Sequence, residues 1–482
     1  MVMIPAQQTL SPPVPDLGQD RTFLSLIAGV GLLRISMALG FWGLALLISD
    51  NPPLEIIAFR LRAIDSLGYN MEALHILSTW NGTRDAYFEA LSFSLVVAIL
   101  YKIFGTHPLV TSIFGSLCYA CVGLLAYGMA CQLGRQRWEA RTLALLICLW
   151  PSSLVWSIAP LKEGPILLAV FGLFFCVMRI LGHRRLSTWQ WLAIGLGLLI
   201  SVFWMVFLRF YLWYLLCALI PLLFLFQALP PGPNQTRPGL KRILAVVVLL
   251  LAGLGLSQPF NNDSAIVIND LAKRSSSQQM IGPGLAAFNL VNPAHAADKN
   301  NAEQAASQTN SKKTEAKGLF EGLIDHLSYI RRASVRQGGS SLTPEALQGI
   351  DAVDLKKDFK TWQGALRSSL MLLKAAFRDI FLFPYPWEPW PGGRGWGPMQ
   401  LLVAAQSLLW YLLLPGLAAG IIIGFRKRPA DTIMLVFWSL ALGLLLGITI
   451  LNRGALFRLR DMALMPLILL WHPWPYLKLW QL

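Results

Sequence analysis

In the run Asp65-Ser66-Leu67-Gly68-Tyr69-Asn70-Met71-Glu72, an acid, a phenol and a second acid recur at i, i+4 and i+7. That spacing puts three side chains on one side of a helix, although an ordinary surface helix shows it too. A further acid follows a cation in Pro160-Leu161-Lys162-Glu163-Gly164-Pro165, between two apolar runs. The connector is so short that Lys162 and Glu163 must sit at a membrane surface, either as a helix-end charge couple or as functional groups. Arg209 has the same standing between Trp204–Leu208 and Phe210–Trp213, as does the turn Asn452-Arg453-Gly454-Ala455-Leu456-Phe457-Arg458-Leu459-Arg460-Asp461. The chemistry on offer is that of carboxylates and cations. A carboxylate can orient or deprotonate a hydroxyl, and guanidinium forks match phosphate oxygens. The competing readings of that last turn are that the C-terminal spans are inverted or that Asp461 and lipid headgroups neutralise the arginines.

Other site chemistries have little support. The histidines His75, His107, His183, His295, His326 and His472 are scattered, without metal-ligand spacing or a Glu-x-x-His pair. Phosphate-binding glycine loops, dinucleotide fingerprints and a Gly-x-Ser-x-Gly elbow are all absent from the sequence. The six cysteines lie in apolar stretches, where a thiol behaves as a small hydrophobe, and Cys118-x-x-Cys121 reads the same way. No cleavable signal is expected in the first residues, which carry Pro5, Pro12, Pro13 and Pro15 and no apolar core.

The elements that must hold these residues are dictated by composition. The 482 residues are 55% hydrophobic and 13% charged, with mean hydropathy +0.55, which excludes a soluble globular chain. The net charge of +15, from 40 Lys+Arg against 25 Asp+Glu, orients loops at a bilayer, so no nucleic-acid partner is expected. A hydrocarbon core of about 30 Å needs about 20 apolar residues per helix. Candidate spans lie at 23–48, 108–132, 142–160, 165–181, 190–207, 210–228, 243–258, 399–424, 432–451 and 462–480.

Connectors bearing Arg135, Arg137 and Arg141; Arg184 and Arg185; Arg237, Lys241 and Arg242; and Arg426, Lys427 and Arg428 are assigned to the cytoplasm. The N-terminus is then inside, and 49–107, 160–164, 208–209, 259–398 and 452–461 face outside. Leu91–Gly105, about 22 Å as a helix, is too short to cross and reads as a helix on, or dipping into, the outer surface.

In the outer segment 259–398, residues 292–317 are polar and low in aromatics, the composition of a flexible tether. Residues 344–383 read as an amphipathic helix with Thr343 as N-cap and an apolar stripe of Leu366, Leu370, Leu373, Phe377 and Ile380. Four parts follow. They are a cytoplasmic tail 1–22, an N-terminal transmembrane module 23–258 with its first outer loop 49–107, the outer segment 259–398, and a C-terminal transmembrane module 399–482. The fold class expected is an all-α integral membrane protein of about ten transmembrane helices. Extracytoplasmic juxtamembrane helices sit in its first outer loop, and its one long outer loop is partly helical.

With these features placed, the chain resembles the multi-spanning glycosyltransferases of the GT-C type, in their bacterial mannosyltransferase/arabinosyltransferase-like superfamily. Asp65 and Tyr69 followed by Ala73–Trp80 look like the catalytic loop of that family. Tyr101-Lys102-Ile103-Phe104-Gly105 is similar to the segment after it, and Trp150-Pro151-Ser152 through Lys162-Glu163 resembles the next span and its outer acid. Phe383-Pro384-Tyr385-Pro386-Trp387 and Asn452–Arg460 look like the ends of the long outer loop and of the penultimate span. The usual Asp-Glu or Asp-x-Asp doublet is reduced to Asp65, and the Lys/His-Pro-Pro closing the first loop is absent.

The resemblance implies an inverting hexosyl or pentosyl transferase of a bacterial inner (plasma) membrane with its active face outside, serving cell-envelope polysaccharide biosynthesis. Its donor would be a polyprenyl-phosphate sugar, its acceptor a glycan, lipid or protein. Asp65 and Glu163 are the implied catalytic residues, and the ligands of a divalent cation (Mg or Mn) if one is bound. Tyr69, Lys162, Arg209, Arg453, Arg458 and Arg460 are the implied substrate-binding residues, with Trp150, Trp156, Trp204 and Trp213 lining a prenyl groove. Two other classes fit the same topology. One is a polysaccharide polymerase or ligase using a diphosphate-linked carrier; the other is a non-enzymatic transporter, flippase or envelope-complex membrane subunit.

Overall fold

The computed structural model describes residues 20–48, 54, 65–79, 92–182, 186–209, 212–226, 239–257, 361–382, 398–450 and 453–473. Among these residues every regular element is helical and there is no strand. In chain order the helices are α1 (Arg21–Ile48), α2 (Asp65–Thr79), α3 (Ser92–Phe104), α4 (Leu109–Gln132) and α5 (Arg137–Cys148). Then come α6 (Pro151–Trp156), α7 (Glu163–Leu181), α8 (Thr188–Leu208) and α9 (Leu212–Leu225), followed by α10 (Leu240–Ser257). α11 (Trp362–Phe377) runs into a π turn at Arg378–Leu382, and α12 (Pro398–Lys427), α13 (Pro429–Thr449), α14 (Arg453–Leu459) and α15 (Asp461–Ile468) complete the chain.

Seven helices, α1, α4, α7, α8, α10, α12 and α13, are long and apolar enough to cross a membrane. The other three expected spans take shorter forms. The stretch 142–160 is broken into α5 and α6; 210–228 holds the 14-residue α9; and 462–480 holds α15, with residues beyond 473 outside the described residues. The break between α5 and α6 comes from Pro151, which has no N–H to continue a helix and opens α6 at its first turn. Breaking a helix frees carbonyls that lipid cannot satisfy. Arg34, fully buried midway along α1, reaches the break: its guanidinium donates to the Cys148 carbonyl at the end of α5, and to the Ser153 carbonyl and hydroxyl in α6 at 2.7 Å each. It also lies 4.5 Å from the Tyr119 ring centroid.

α7 is the centre of the bundle, buried along most of its length between α4 and α8, which is why its sequence is apolar all round. Helices in lipid gain little from apolar burial and associate by close packing of small residues. At Gly164 a Cβ would come to 3.0 Å from the Gly115 carbonyl, a tight contact that glycine avoids where the first turn of α7 presses onto α4.

The short helices α2 and α3 pack on one another. Ser94 donates to Glu72 at 2.8 Å, Tyr101 donates to Asn70 at 2.7 Å, and Tyr69 meets Phe93 edge-on at 5.0 Å. They lie at the end of the bundle where α7 begins and α8 ends. At the opposite end Arg141 pairs with Asp20 at 2.7 Å, Tyr127 donates to Asp20 at 2.8 Å, and Arg135 donates to the Leu470 carbonyl at 2.7 Å.

The described part of the expected amphipathic helix is α11. Thr361, not Thr343, caps the described helix, accepting from the Gly364 amide at 3.1 Å; residues 344–360 and 292–317 lie outside the described residues. Of the apolar stripe, Leu366, Leu370, Leu373 and Phe377 are exposed and Ile380 is buried, while Ser368, Leu372 and Ala376 face the protein. The reason is the surface that receives the helix. A Cβ at Gly447 of α13 would lie 2.6 Å from Ala376, so a small-residue groove on α13 accepts a small-residue face and turns the leucines outward.

Candidate functional site

Four separate elements deliver charged groups to the α2 end of the bundle. Asp65 opens α2, where a first-turn acid is favoured by the helix dipole. Lys162 is the N-cap residue of α7 and Glu163 its first residue, again an acid at a helix start. Arg209 ends α8, the dipole position that favours a cation. Arg458 arrives on α14.

Arg458 joins them. Its Nη2 donates to Asp65 Oδ2 across 393 residues of sequence, and its Nε lies 3.0 Å from Glu163 Oε1. Arg209 Nη2 approaches the same Glu163 oxygen at 3.6 Å. Lys162 Nζ stands 5.3 Å from the Tyr69 ring centroid. The side chains of Arg458 and Glu163 are 7% and 5% exposed, while that of Asp65 is 51% exposed, so the cluster has a buried floor and one open carboxylate. Glu163 is held through charge rather than directed hydrogen bonds, since neither of its carboxylate oxygens has a hydrogen-bond partner among the described residues.

The charges set one another's protonation. For Asp65, burial raises the carboxyl pKa, but Arg458, then Arg209 and Lys162, outweigh it and hold the group below its ordinary value, ionised at neutral pH. Burial pulls Arg458 down, and Glu163 and Asp65 more than reverse this, so it stays protonated. For Lys162 burial, then the neighbouring Arg209, outweighs the same Glu163 and Asp65 and pushes it down to about 7. Burial raises the Tyr69 phenol, which stays neutral.

The sequence-derived candidates thus divide. Asp65, Tyr69, Lys162, Glu163, Arg209 and Arg458 come together. Arg460 does not join them: it is buried, with its guanidinium 4.1 Å from the Phe457 ring centroid and Asp461 as its charged neighbour. Arg453 opens α14, and its side chain lies outside the described residues. Trp150, expected in a prenyl groove, is fully buried and donates to Asp461 at 3.2 Å; Trp156 is buried too, and Trp204 and Trp213 are partly exposed.

The described residues do not present a ligand set for a divalent cation. Among the described residues no three His, Cys, Asp or Glu side chains gather as a ligand set. The space between Asp65 and Glu163 is spanned by the Arg458 guanidinium.

Sequence reasoning missed the network beneath. Asp461 accepts from Trp150, from the Ser152 hydroxyl and from Gln406 at 3.4 Å, while the Ser152 amide donates to Gln406 Oε1 at 2.8 Å. This ties α6, α12 and α15 together three residues after Arg458 and fixes where α14 presents it. The available signal was an acid at the start of an apolar run, which is costly unless its hydrogen bonds are met.

No family model matches the chain, and no curated protein matches it. Among solved structures, it is similar to the archaeal oligosaccharyltransferase AglB from Archaeoglobus fulgidus, described in complex with an inhibitory peptide and a dolichol-phosphate. The TM-score is 0.41 and the identity 13%, over 81% of this chain and 43% of that one. The chain therefore spans less than half the length of that structure.

Proposed function

We propose that the α2 end of the bundle is the active site of a membrane glycosyltransferase that moves a sugar from a polyprenyl-phosphate carrier to a glycan, lipid or protein acceptor. The observation that carries this reading is the Arg458 bridge between a half-exposed Asp65 and a buried Glu163, with Arg209 and Lys162 alongside. Three cations against two carboxylates leave an excess of positive charge at the end of an apolar bundle. A phosphate whose isoprenoid tail lies in the bilayer meets both conditions.

In the reaction the bond from the anomeric carbon to the phosphate oxygen breaks as the acceptor oxygen bonds to that carbon from the opposite face, inverting it. The negative charge that grows on the departing phosphate is met by Arg458, Arg209 and Lys162, which are already in place. Asp65, ionised and open, orients the acceptor hydroxyl and takes its proton. Glu163 holds Arg458 and Arg209 in position, and Tyr69 walls the site beside Lys162.

The basic connectors support an orientation in which this end faces away from the cytoplasm, and the membrane we assign is a bacterial inner membrane. The segments 23–258 and 399–482 then act as one body, since α7 packs on α15 and α9 packs on α13. α11 packs on α13, and the π turn that follows it packs on α14, at the same end. Incubation of the purified chain with a polyprenyl-phosphate sugar and membrane extract tests the activity: release of the carrier phosphate supports it, and an intact donor contradicts it.

A further inference from the structure

Resting on the reading that the site takes a phosphate-linked carrier, we propose that Arg458 stands in for a divalent cation and that this site binds its phosphate without metal. A metal-assisted site of this kind places an ion between two carboxylates, where it lowers their repulsion and presents positive charge to the substrate. Here the guanidinium does both. Its Nη2 donates to Asp65 and its Nε contacts Glu163 at 3.0 Å, one charge touching each acid.

Burial fixes the arrangement. Arg458 and Glu163 are nearly inaccessible, and Arg209 supports the same Glu163 oxygen at 3.6 Å, so an entering divalent ion would have to displace one guanidinium and approach a second. An arginine in this position also differs from a metal in what it offers. It provides N–H donors in a fixed plane, so it holds phosphate oxygens by direction as well as charge, and chelators do not remove it. The ligand class this selects is a phosphate ester on an isoprenoid chain, arriving free of a bound metal ion.

The test uses the purified full-length chain in lipid nanodiscs with citronellyl phosphate as ligand and Mn²⁺ as metal probe. Calorimetric titration of citronellyl phosphate is expected to give the same affinity, within about twofold, in excess EDTA and in Mg²⁺. Arg458→Gln is expected to lower that affinity by about tenfold or more in both buffers, with Arg458→Lys intermediate. Paramagnetic resonance is expected to show no stoichiometric Mn²⁺ binding to the wild-type protein, a readout that needs no variant to fold. Stoichiometric Mn²⁺ binding that disappears in Asp65→Asn, or loss of citronellyl phosphate binding in EDTA, overturns the proposal. Absence of citronellyl phosphate binding in both buffers contradicts the phosphate-carrier reading instead, and the Mn²⁺ measurement still decides the metal.

Discussion

Arg458 and Glu163 meet at 3.0 Å in the floor of the site, and the same guanidinium reaches up to Asp65, so a buried carboxylate controls the position of an exposed one. The pairing is asymmetric in its consequences. Removing the exposed partner leaves the buried ion pairs of Glu163 in place, whereas removing the buried partner leaves two guanidinium groups without their shared counter-charge.

Glu163→Gln should therefore destabilise the protein strongly. Breaking a buried ion pair from one side costs about 3–5 kcal/mol. Thermal unfolding in detergent checks this: a clear fall in midpoint is expected for Glu163→Gln and a small one for Asp65→Asn. Equal shifts would contradict the division into floor and open edge.

Lys162 gives the site a pH dependence of definite sign. Its pKa is pushed down to about 7, so the ammonium is present below pH 7 and lost above it. A phosphodiester donor does not titrate in this range, and its affinity should fall as pH rises from about 6 to 9, by up to about tenfold per unit above 7. Lys162→Met should flatten the profile. In the unfolded chain Lys162 keeps its proton up to the ordinary value of 10.5, so folding sheds a proton between about 7 and 10.5 and stability rises with pH there. An affinity independent of pH in the wild-type protein would remove Lys162 from the phosphate site.

Asp461 acts through position rather than contact with substrate. Asp461→Ala leaves the donors of Trp150, Ser152 and Gln406 without their acceptor at a cost of about 1–3 kcal/mol, and frees α14. Turnover should fall with little change in apparent donor affinity, and Asp461→Asn should restore part of the turnover. Loss of stability with unchanged turnover in the remaining folded protein would limit Asp461 to a structural role.

The groove that holds α11 is testable without any assay of activity. Gly447→Leu pushes into Ala376, where a Cβ would already be 2.6 Å away. A cost of about 1–3 kcal/mol and faster proteolysis near residue 361 are expected. Unchanged proteolysis would contradict the packing of α11 on α13.

What was legible in the sequence follows its physics. Long apolar runs announce spans by length alone, and seven of them are helices of crossing length. The break at Trp150-Pro151 was hidden because hydropathy does not register a proline-opened helix, and the repair comes from Arg34, over a hundred residues away. Asp65 and Glu163 stood out as acids beside apolar runs, but their union through Arg458 depends on a 393-residue separation that no local spacing reveals. Arg460 shared every sequence credential of Arg458 and points elsewhere, because two positions along a helix turn a side chain to a different face.

The most direct measurement of the central claim is the rate of sugar release from a polyprenyl-phosphate donor by the Asp65→Asn protein, compared with wild type at equal folded concentration. Removing the base that orients the acceptor should lower turnover by about 10²–10⁴-fold with donor binding retained. Undiminished transfer by Asp65→Asn would contradict the assignment of the site.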